Sequence, residues 1–110
     1  MERAAVRKVT RHVKQRGFEI TSRERDAVGY DLDARKGHLE WHVEIKGISG
    51  EKVQFPITKN EVVRAETDSS FRLMVVTEAR KKRSRLHTYH GPDIASRFVL
   101  QPISYMAAKK

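Results

Sequence analysis

The sequence predicts a single α/β (α+β) domain over residues 1–110, in which helices flank a central mixed sheet. Three observations lead to this prediction. The chain has 110 residues, which is the usual length of one domain. Its first segment has a helical period, and the segments that follow alternate between apolar and polar residues as strands do. A capping box then marks a second helix, ahead of a strand rich in Leu, Met and Val.

The first helix is predicted over residues 2–16. Its apolar side chains form one stripe and basic side chains cover the remaining surface, as in a helix that packs on a core. The stripe consists of Ala5, Val6, Val9 and Val13. Gly17 ends the helix in the usual way, and a short strand is predicted over residues 18–21.

A β-hairpin is predicted next. Residues 30–35 and 39–46 alternate between apolar and polar side chains, which indicates two strands that each have one buried and one polar face. Gly37-His38 lies between them and suits a type II′ turn.

This turn fixes the register of the hairpin. In this register the two residue numbers of each pair add up to 75. Apolar residues then pair with apolar residues on one face, and polar residues pair with polar residues on the other face. On the apolar face Tyr30 is expected opposite Ile45. On the polar face Asp31 is expected directly opposite Glu44.

The second half of the chain is predicted to add one helix and two or three strands, in the order α-β-β-β-α-β-β. The predicted elements are a helix from the capping box Thr58-Lys59-Asn60-Glu61, a central strand over 71–78, a returning strand over 86–90, a short helical turn over 93–97 and an extended edge segment over 99–105 that contains Pro102. The tail over 106–110 is expected to fray.

Charge and composition narrow the classes of function. The 23 Lys and Arg residues outnumber the 14 Asp and Glu residues, and the net charge of +9 favours a polyanionic partner such as nucleic acid. The absence of Cys excludes a disulfide scaffold, a cysteine-based zinc site and a cysteine nucleophile. Because no apolar run is long enough to cross a membrane and no secretory signal is visible, we expect a cytoplasmic protein.

The candidate catalytic residues lie on the polar face of the hairpin. Directly opposed strand residues have Cβ atoms about 5 Å apart, so Asp31 and Glu44 repel each other unless a proton or a cation lies between them. A divalent cation such as Mg²⁺ or Mn²⁺ resolves this repulsion, because Mg²⁺ usually takes one or two carboxylates and completes its shell with water and phosphate oxygens. Lys46 lies about 7 Å further along this face, where it can orient an attacking water or stabilise a phosphate. The pattern favours metal-dependent phosphodiester hydrolysis.

The order of these motifs resembles known families. Asp31, followed by Glu44-Ile45-Lys46 on the adjacent strand, resembles the PD-(D/E)XK nuclease superfamily. Residues 2–78 also resemble the small domain found at the C-terminus of NO VEIN-type proteins and in many bacterial defence proteins. The residues that carry this second resemblance are Gly29, Tyr30, Asp31, Glu44, Lys46, Thr58, Asn60 and Glu61. The resemblance implies a restriction-endonuclease-like core, dependence on Mg²⁺ or Mn²⁺, DNA as the substrate, and a setting in restriction, repair or phage defence.

The resemblance also implies a role for individual residues. Asp31 and Glu44 would bind the metal with the Ile45 carbonyl as a further ligand, and Lys46 would be the catalytic base or charge stabiliser. Glu2 resembles the additional acid that these nucleases often take from their first helix. An acid that stabilises a helix N-terminus explains Glu2 equally well.

Other polar residues near this face are interpreted as structural. In the predicted register His42 opposes Asp33 and Arg35 opposes Glu40, and we interpret these as cross-strand pairs rather than metal ligands. Glu61 is interpreted as the acid of the capping box. The five His residues show no zinc-binding spacing.

A basic loop is the second candidate feature. The basic side chains of this loop either bind DNA phosphates or are simply solvated, and both interpretations are compatible with a loop between two strands. The candidate DNA-binding residues are Arg80, Lys81, Lys82, Arg83 and Arg85.

Two alternatives to a nuclease stay open. Glu44 and Lys46 form an ordinary surface ion pair in the first, and in the second the same fold binds nucleic acid or another partner without cleaving DNA. The chain is either a complete protein or one domain of a longer one. A homodimer would explain how a single small site cuts both strands of a duplex.

Overall fold

The helices and strands of the computed structural model follow the predicted order. The structure describes residues 3–26, 28–101 and 107–110. The elements are α1 (Arg3–Gln15), β1 (Glu19–Ser22), β2 (Leu32–Lys36), β3 (Leu39–Gly47), α2 (Lys59–Thr67), β4 (Phe71–Thr77), β5 (Arg85–His90), a 3-10 turn (Gly91–Asp93) and the one-turn helix α3 (Ile94–Arg97).

The five strands form one mixed sheet in the order β1-β2-β3-β4-β5. Neighbouring strands are antiparallel except β3 and β4, which run parallel because α2 lies between them in the chain. The α+β class, the mixed sheet and the order of elements are therefore confirmed. The restriction-endonuclease-like core stays a prediction.

The hairpin of β2 and β3 has the predicted register over five residue pairs, from Leu32 with Val43 to Lys36 with Leu39. At its turn Gly37 has a φ of 60°, whereas His38 is not among the described residues with positive φ. A type II′ turn needs positive φ at its first central residue only, so the turn type also agrees with the prediction.

The register prediction is wrong for Tyr30, and Asp31 is not paired with Glu44 in the ladder, because the ladder ends at Leu32. Gly29 has a φ of 88°, and the chain bends there before the strand begins. The Tyr30 ring then lies on the polar face, stacked on His42 with 4.5 Å between ring centroids, instead of opposite Ile45.

Each face of the sheet buries one apolar cluster. On one face α1 packs through Ala5, Val9 and Val13, which confirms the predicted stripe. On the other face Ala65 of α2 and Ile94 of α3 cover the sheet. Because the side chains of β4 alternate between the two clusters, β4 is buried on both sides, as expected of a central strand.

Some predictions fall at or beyond the edges of the described residues. Residues 99–101 form no strand, and the remainder of the predicted edge segment, including Pro102, lies outside the described residues, as does Glu2. Within the described part of the chain, no helix has the length and apolar content needed to cross a bilayer.

Candidate functional site

Four ionisable side chains meet at the end of the hairpin that faces α2. Asp31 precedes β2, Glu44 and Lys46 belong to β3, and Glu61 lies in the first turn of α2. Lys46 Nζ lies 3.3 Å from Glu44 Oε2 and donates a hydrogen bond of 2.9 Å to Glu61 Oε1. The structure therefore brings together Asp31, Glu44 and Lys46, as predicted, and adds Glu61.

Asp31 is held in place although it lies outside the ladder. Its backbone N–H donates to the Val43 carbonyl at 2.8 Å. Its carboxylate Oδ2 accepts the Ile45 N–H at 2.7 Å. In a continued ladder the Ile45 N–H would donate to a backbone carbonyl of the other strand. Here it donates to the Asp31 carboxylate instead, and this hydrogen bond fixes the carboxylate beside Glu44.

Gly29 lets the chain approach α2 just before Asp31. A Cβ atom on Gly29 would lie 3.3 Å from the Asn60 side chain, and its φ of 88° strains any residue with a side chain. The bend at Gly29 thus sets the position of Asp31 relative to the helix that carries Glu61.

Glu61 has two roles at once. Its Oε1 accepts the Thr58 N–H at 2.9 Å, and Thr58 Oγ1 accepts the Glu61 N–H at 3.1 Å, which completes the predicted capping box. The same Oε1 accepts the hydrogen bond from Lys46. The capping interpretation of Glu61 is confirmed, but it misses the contact with the lysine.

The two central carboxyl groups are buried, with Asp31 8% and Glu44 4% exposed. Burial, the hydrogen bond to Glu61 and the charge of Asp31 raise the pKa of Glu44 to about 10. Burial also raises the pKa of Asp31, against the opposing effect of the Ile45 N–H. The carboxyl groups therefore share protons when nothing else offsets their charge.

The other two groups of the cluster, Lys46 and Glu61, stay charged. Burial lowers the pKa of Lys46, but its hydrogen bond to Glu61 and the charge of Glu44 outweigh this and raise it overall. Burial raises the pKa of Glu61, but hydrogen bonds from Glu44, Thr58 and Lys46 outweigh this and lower it overall.

The charges of this cluster do not balance when all four groups are ionised. With all four groups ionised, three carboxylates would face one ammonium, and buried charge of one sign is tolerated only with a proton or a counter-ion. Carboxylate oxygens are the ligands that Mg²⁺ and Mn²⁺ prefer. The Ile45 side chain packs in the opposite apolar cluster, so only its backbone faces this site.

The remaining polar side chains of the hairpin form the predicted cross-strand pairs. Arg35 Nη2 lies 2.7 Å from Glu40 Oε1, and His42 Nε2 lies 3.9 Å from Asp33 Oδ1. Asp33 is buried, and its Oδ2 accepts a hydrogen bond of 2.6 Å from Arg23 Nε. Burial raises the pKa of Asp33, but the hydrogen bonds from Arg23 and Tyr30, together with the charge of Arg23, outweigh this and lower it overall.

The basic loop joins β4 to β5, at the same end of the sheet as Lys46, because β3 and β4 are parallel. Its five candidate DNA-binding side chains are exposed. Two of them contact the buried Glu78: Arg83 Nε lies 2.7 Å and Lys81 Nζ lies 3.7 Å from Glu78 Oε1. Lys8 of α1 donates to the Ser84 carbonyl at 3.0 Å, so the helix and the loop form one basic region.

One protein-family model matches most of the chain. The family model described as Protein NO VEIN, C-terminal matches residues 1–89. The chain belongs to the NO VEIN C-terminal family. No curated protein and no solved structure matches it.

The NO VEIN C-terminal match covers the four-residue cluster, the basic loop and nearly all of β5. It extends past residue 78, where the resemblance seen in the sequence ends. The structure gives a physical reason for the motif residues at 29–31 and 58–61. Gly29 provides the bend, Asp31 holds the Ile45 amide, and Glu61 joins the helix cap to Lys46. Membership in the PD-(D/E)XK superfamily stays a prediction.

Proposed function

We propose that this NO VEIN C-terminal domain is a metal-dependent nuclease that hydrolyses phosphodiester bonds of DNA. The observation that carries the proposal is the buried cluster in which Asp31, Glu44 and Lys46 meet. Perturbed ionisable groups that cluster with specific charge partners are typical of catalytic sites. The resemblance of Asp31 and Glu44-Ile45-Lys46 to the PD-(D/E)XK pattern supports the same reaction class.

Asp31 and Glu44 would hold the cation, with the Ile45 carbonyl as a further ligand by resemblance. A bound divalent cation lowers the pKa of water and offsets the charge that develops on a phosphate. Asp31 is held by the Ile45 N–H, and Glu44 lies beside Lys46, so both carboxylates have defined partners in the cation-free protein. Binding would require Glu44 to release the proton that burial favours in the cation-free protein.

Lys46 carries the catalytic charge in this proposal. Its ammonium either orients the attacking water or stabilises the phosphate at the transition state. Glu61 is a positioning residue, because its Oε1 holds the Lys46 ammonium 2.9 Å away while the capping box fixes that carboxylate to α2. The position of the lysine therefore depends on the helix as well as on β3.

The basic region formed by the loop and α1 would bind the DNA backbone. Lysine and arginine contacts to phosphates supply affinity that does not depend on sequence. The loop lies at the same end of the sheet as Lys46, whereas α1 packs on the face opposite the carboxylates, so DNA bound by this region would have to cross that end of the sheet to reach them. Lys81 and Arg83 are partly neutralised by Glu78, which leaves Lys82 and Arg85 as stronger contributors than these two.

A cleavage assay tests the proposal. Purified protein is incubated with supercoiled plasmid and with single-stranded oligonucleotide in Mg²⁺ or Mn²⁺, and in EDTA. We expect cleavage that requires the cation and is lost in Asp31→Asn. The matched control is Asp93→Asn, an exposed acid far along the chain, which keeps full activity. If the protein binds metal and DNA but cleaves neither substrate, the nuclease proposal is wrong and the binding-only alternative holds.

A further inference from the structure

The polar face of the hairpin carries a second set of potential metal ligands. Asp33 and His42 lie two residues along their strands from Asp31 and Glu44, and Glu40 lies two residues beyond His42. Asp33, Glu40 and His42 each present one donor atom, and these three atoms lie within 4.8 Å of one another. His42 Nε2 lies 3.9 Å from Asp33 Oδ1 and 3.5 Å from Glu40 Oε2. For bonds of about 2.1 Å, the ligands of a tetrahedral ion are about 3.4 Å apart. The two separations that involve His42 are therefore close to the value that such an ion requires.

The environment of Asp33 Oδ1 is a second indication of a ligand, independent of the distances between the three donor atoms. Asp33 is only 4% exposed, and Oδ1 makes no hydrogen bond of normal geometry to residues 3–26, 28–101 or 107–110, although the nearby Tyr30 hydroxyl helps to lower the pKa of this carboxyl group. A buried carboxylate oxygen without a partner is costly, and nearly all buried polar atoms have one. Arg23 Nε–H occupies the other oxygen at 2.6 Å. The carboxylate is thereby fixed with its unpartnered oxygen on the side of His42.

His42 is held as a metal-binding histidine usually is. Its Nδ1 is hydrogen-bonded to the Asp68 carboxylate, and its ring stacks on Tyr30. Asp68 is itself fixed, because its Oδ1 accepts the Ser70 N–H at 2.9 Å and its Oδ2 lies 3.1 Å from Arg64 Nε. A carboxylate that accepts the N–H of one ring nitrogen sets the tautomer and leaves the other nitrogen free to bind a metal.

Glu40 completes the set from the exposed rim. Its Oε1 accepts a hydrogen bond of 2.8 Å from Arg35 Nε, while its Oε2 faces His42. All three residues thus use one polar atom in a contact outside the cluster and direct the other atom inward. Because Glu40 is the most exposed of the three, it is the ligand best able to move closer to an ion.

We propose that Asp33, Glu40 and His42 bind a first-row transition-metal dication, with Zn²⁺ as the probe and water in a fourth position. One imidazole nitrogen and two carboxylate oxygens suit Zn²⁺ better than Mg²⁺, which prefers oxygen ligands alone. With a neutral imidazole the ligands carry two negative charges, which match the charge of the ion. The cross-strand pairs predicted from the sequence are present, and the same side chains form this site.

This site is separate from the one proposed for Mg²⁺ or Mn²⁺. Two residues along a strand correspond to about 6.6 Å, whereas the metals of a two-metal catalytic centre are about 3.5–4 Å apart. Through Asp68 at the end of α2, a metal bound to His42 would join the hairpin to that helix. Its binding would therefore stabilise the folded state.

Isothermal titration of the full chain with ZnCl₂, in buffer that contains excess Mg²⁺, tests this proposal. We expect one equivalent of Zn²⁺ to bind. Asp33→Asn and Glu40→Gln should each weaken binding at least about tenfold, and Asp68→Asn should weaken it about 10- to 100-fold by releasing His42. Glu40→Gln removes only an exposed ion pair besides the ligand, so it tests the site even if Asp33→Asn does not fold.

Two controls separate this site from other sites. Asp31→Asn should leave Zn²⁺ affinity unchanged, and so should His90→Gln, which removes an exposed histidine of β5. In nuclear magnetic resonance spectra, Zn²⁺ should shift the Nε2 signal of His42 and leave Nδ1 protonated. The proposal is wrong if no Zn²⁺ binds, if Glu40→Gln and Asp33→Asn bind it like the wild type, or if binding is lost in Asp31→Asn or His90→Gln instead.

Discussion

Lys46 donates its 2.9 Å hydrogen bond to Glu61 Oε1, the same oxygen that accepts the Thr58 N–H and caps α2. A single carboxylate thus links the start of a helix to the lysine of the adjacent strand. This link means that the helix cap and the candidate catalytic group can be separated by mutation.

Glu61→Gln should separate these two roles. The amide oxygen of Gln still accepts the Thr58 N–H, so the melting temperature should change little, whereas Lys46 loses a charged partner. We expect the cleavage rate to fall about tenfold or more, as for other residues that orient a catalytic group. The pH profile of cleavage should also shift to lower pH, because Glu61 raises the pKa of Lys46.

Thr58→Ala is the matched control for this variant. It breaks the capping box and should lower the free energy of unfolding by about 1 kcal/mol. It keeps the Lys46–Glu61 ion pair, so cleavage well below the melting temperature should match that of the wild type. Equal losses of activity in both variants would show that Glu61 acts only through the helix.

Addition of Mg²⁺ or Mn²⁺ should raise the melting temperature. A cation that binds only the folded state at 100 times its dissociation constant adds about 2.7 kcal/mol to the free energy of unfolding. Asp31→Asn should abolish this response while leaving the cation-free protein as stable as the wild type or more so, because it removes one of two repelling carboxylates. A wild-type melting curve that is insensitive to millimolar cation would contradict the shared-cation site.

In EDTA, the free energy of unfolding should decrease as the pH rises from 7 to 9. The pKa of Glu44 is about 10 in the folded state and 4.5 as a free side chain, so only the folded state retains the proton in this range. A raised pKa adds stability below the unfolded value that is lost as the pH approaches the folded value. Urea unfolding of Glu44→Gln should show a flatter pH dependence than the wild type, and an equally steep one would refute this assignment.

Replacement of Arg80, Lys81, Lys82 and Arg83 with Ala should weaken DNA binding and flatten its salt dependence. Each lost phosphate contact reduces the slope of log K against log salt by about 0.9. The cation-induced rise in melting temperature should remain, because the loop contributes no ligand to the site.

A smaller variant controls for damage to the fold. Lys81 and Arg83 contact the buried Glu78, so their removal also leaves that carboxylate without these partners. The double variant Lys82→Ala with Arg85→Ala keeps both contacts and should still reduce the salt slope. An unchanged slope in both variants would place the DNA elsewhere on the protein.

Regular features of the fold could be predicted from the sequence. Alternation in β2 and β3, together with Gly37 at the turn, fixes a register that holds over all five pairs of the ladder. The stripe of α1 and the capping box at Thr58 likewise depend on local spacing. Each of these patterns involves residues that are close together in the chain, so it can be recognised from the sequence alone.

Tyr30 and Glu61 show why the remainder could not be predicted. The alternation of the strand in the sequence includes Tyr30, but the chain bends at Gly29, which has a positive φ, and the Tyr30 ring lies on the other face. Glu61 meets Lys46 only because α2 crosses from β3 to β4 and lies over that face. The capping box of Glu61 is visible in the sequence, whereas its second hydrogen bond depends on tertiary packing across 15 residues of chain.

The cleavage rate of Lys46→Ala tests the central claim most directly. The rate is measured under single-turnover conditions at saturating DNA with Mg²⁺ or Mn²⁺, beside Lys59→Ala, an exposed lysine of α2, as the control. We predict that Lys46→Ala stops cleavage while DNA affinity stays within about tenfold, because one phosphate contact among several contributes little at low salt. Lys59→Ala should cleave like the wild type. If folded Lys46→Ala cleaves as fast as the wild type, the cluster at Asp31, Glu44 and Lys46 is not a nuclease site.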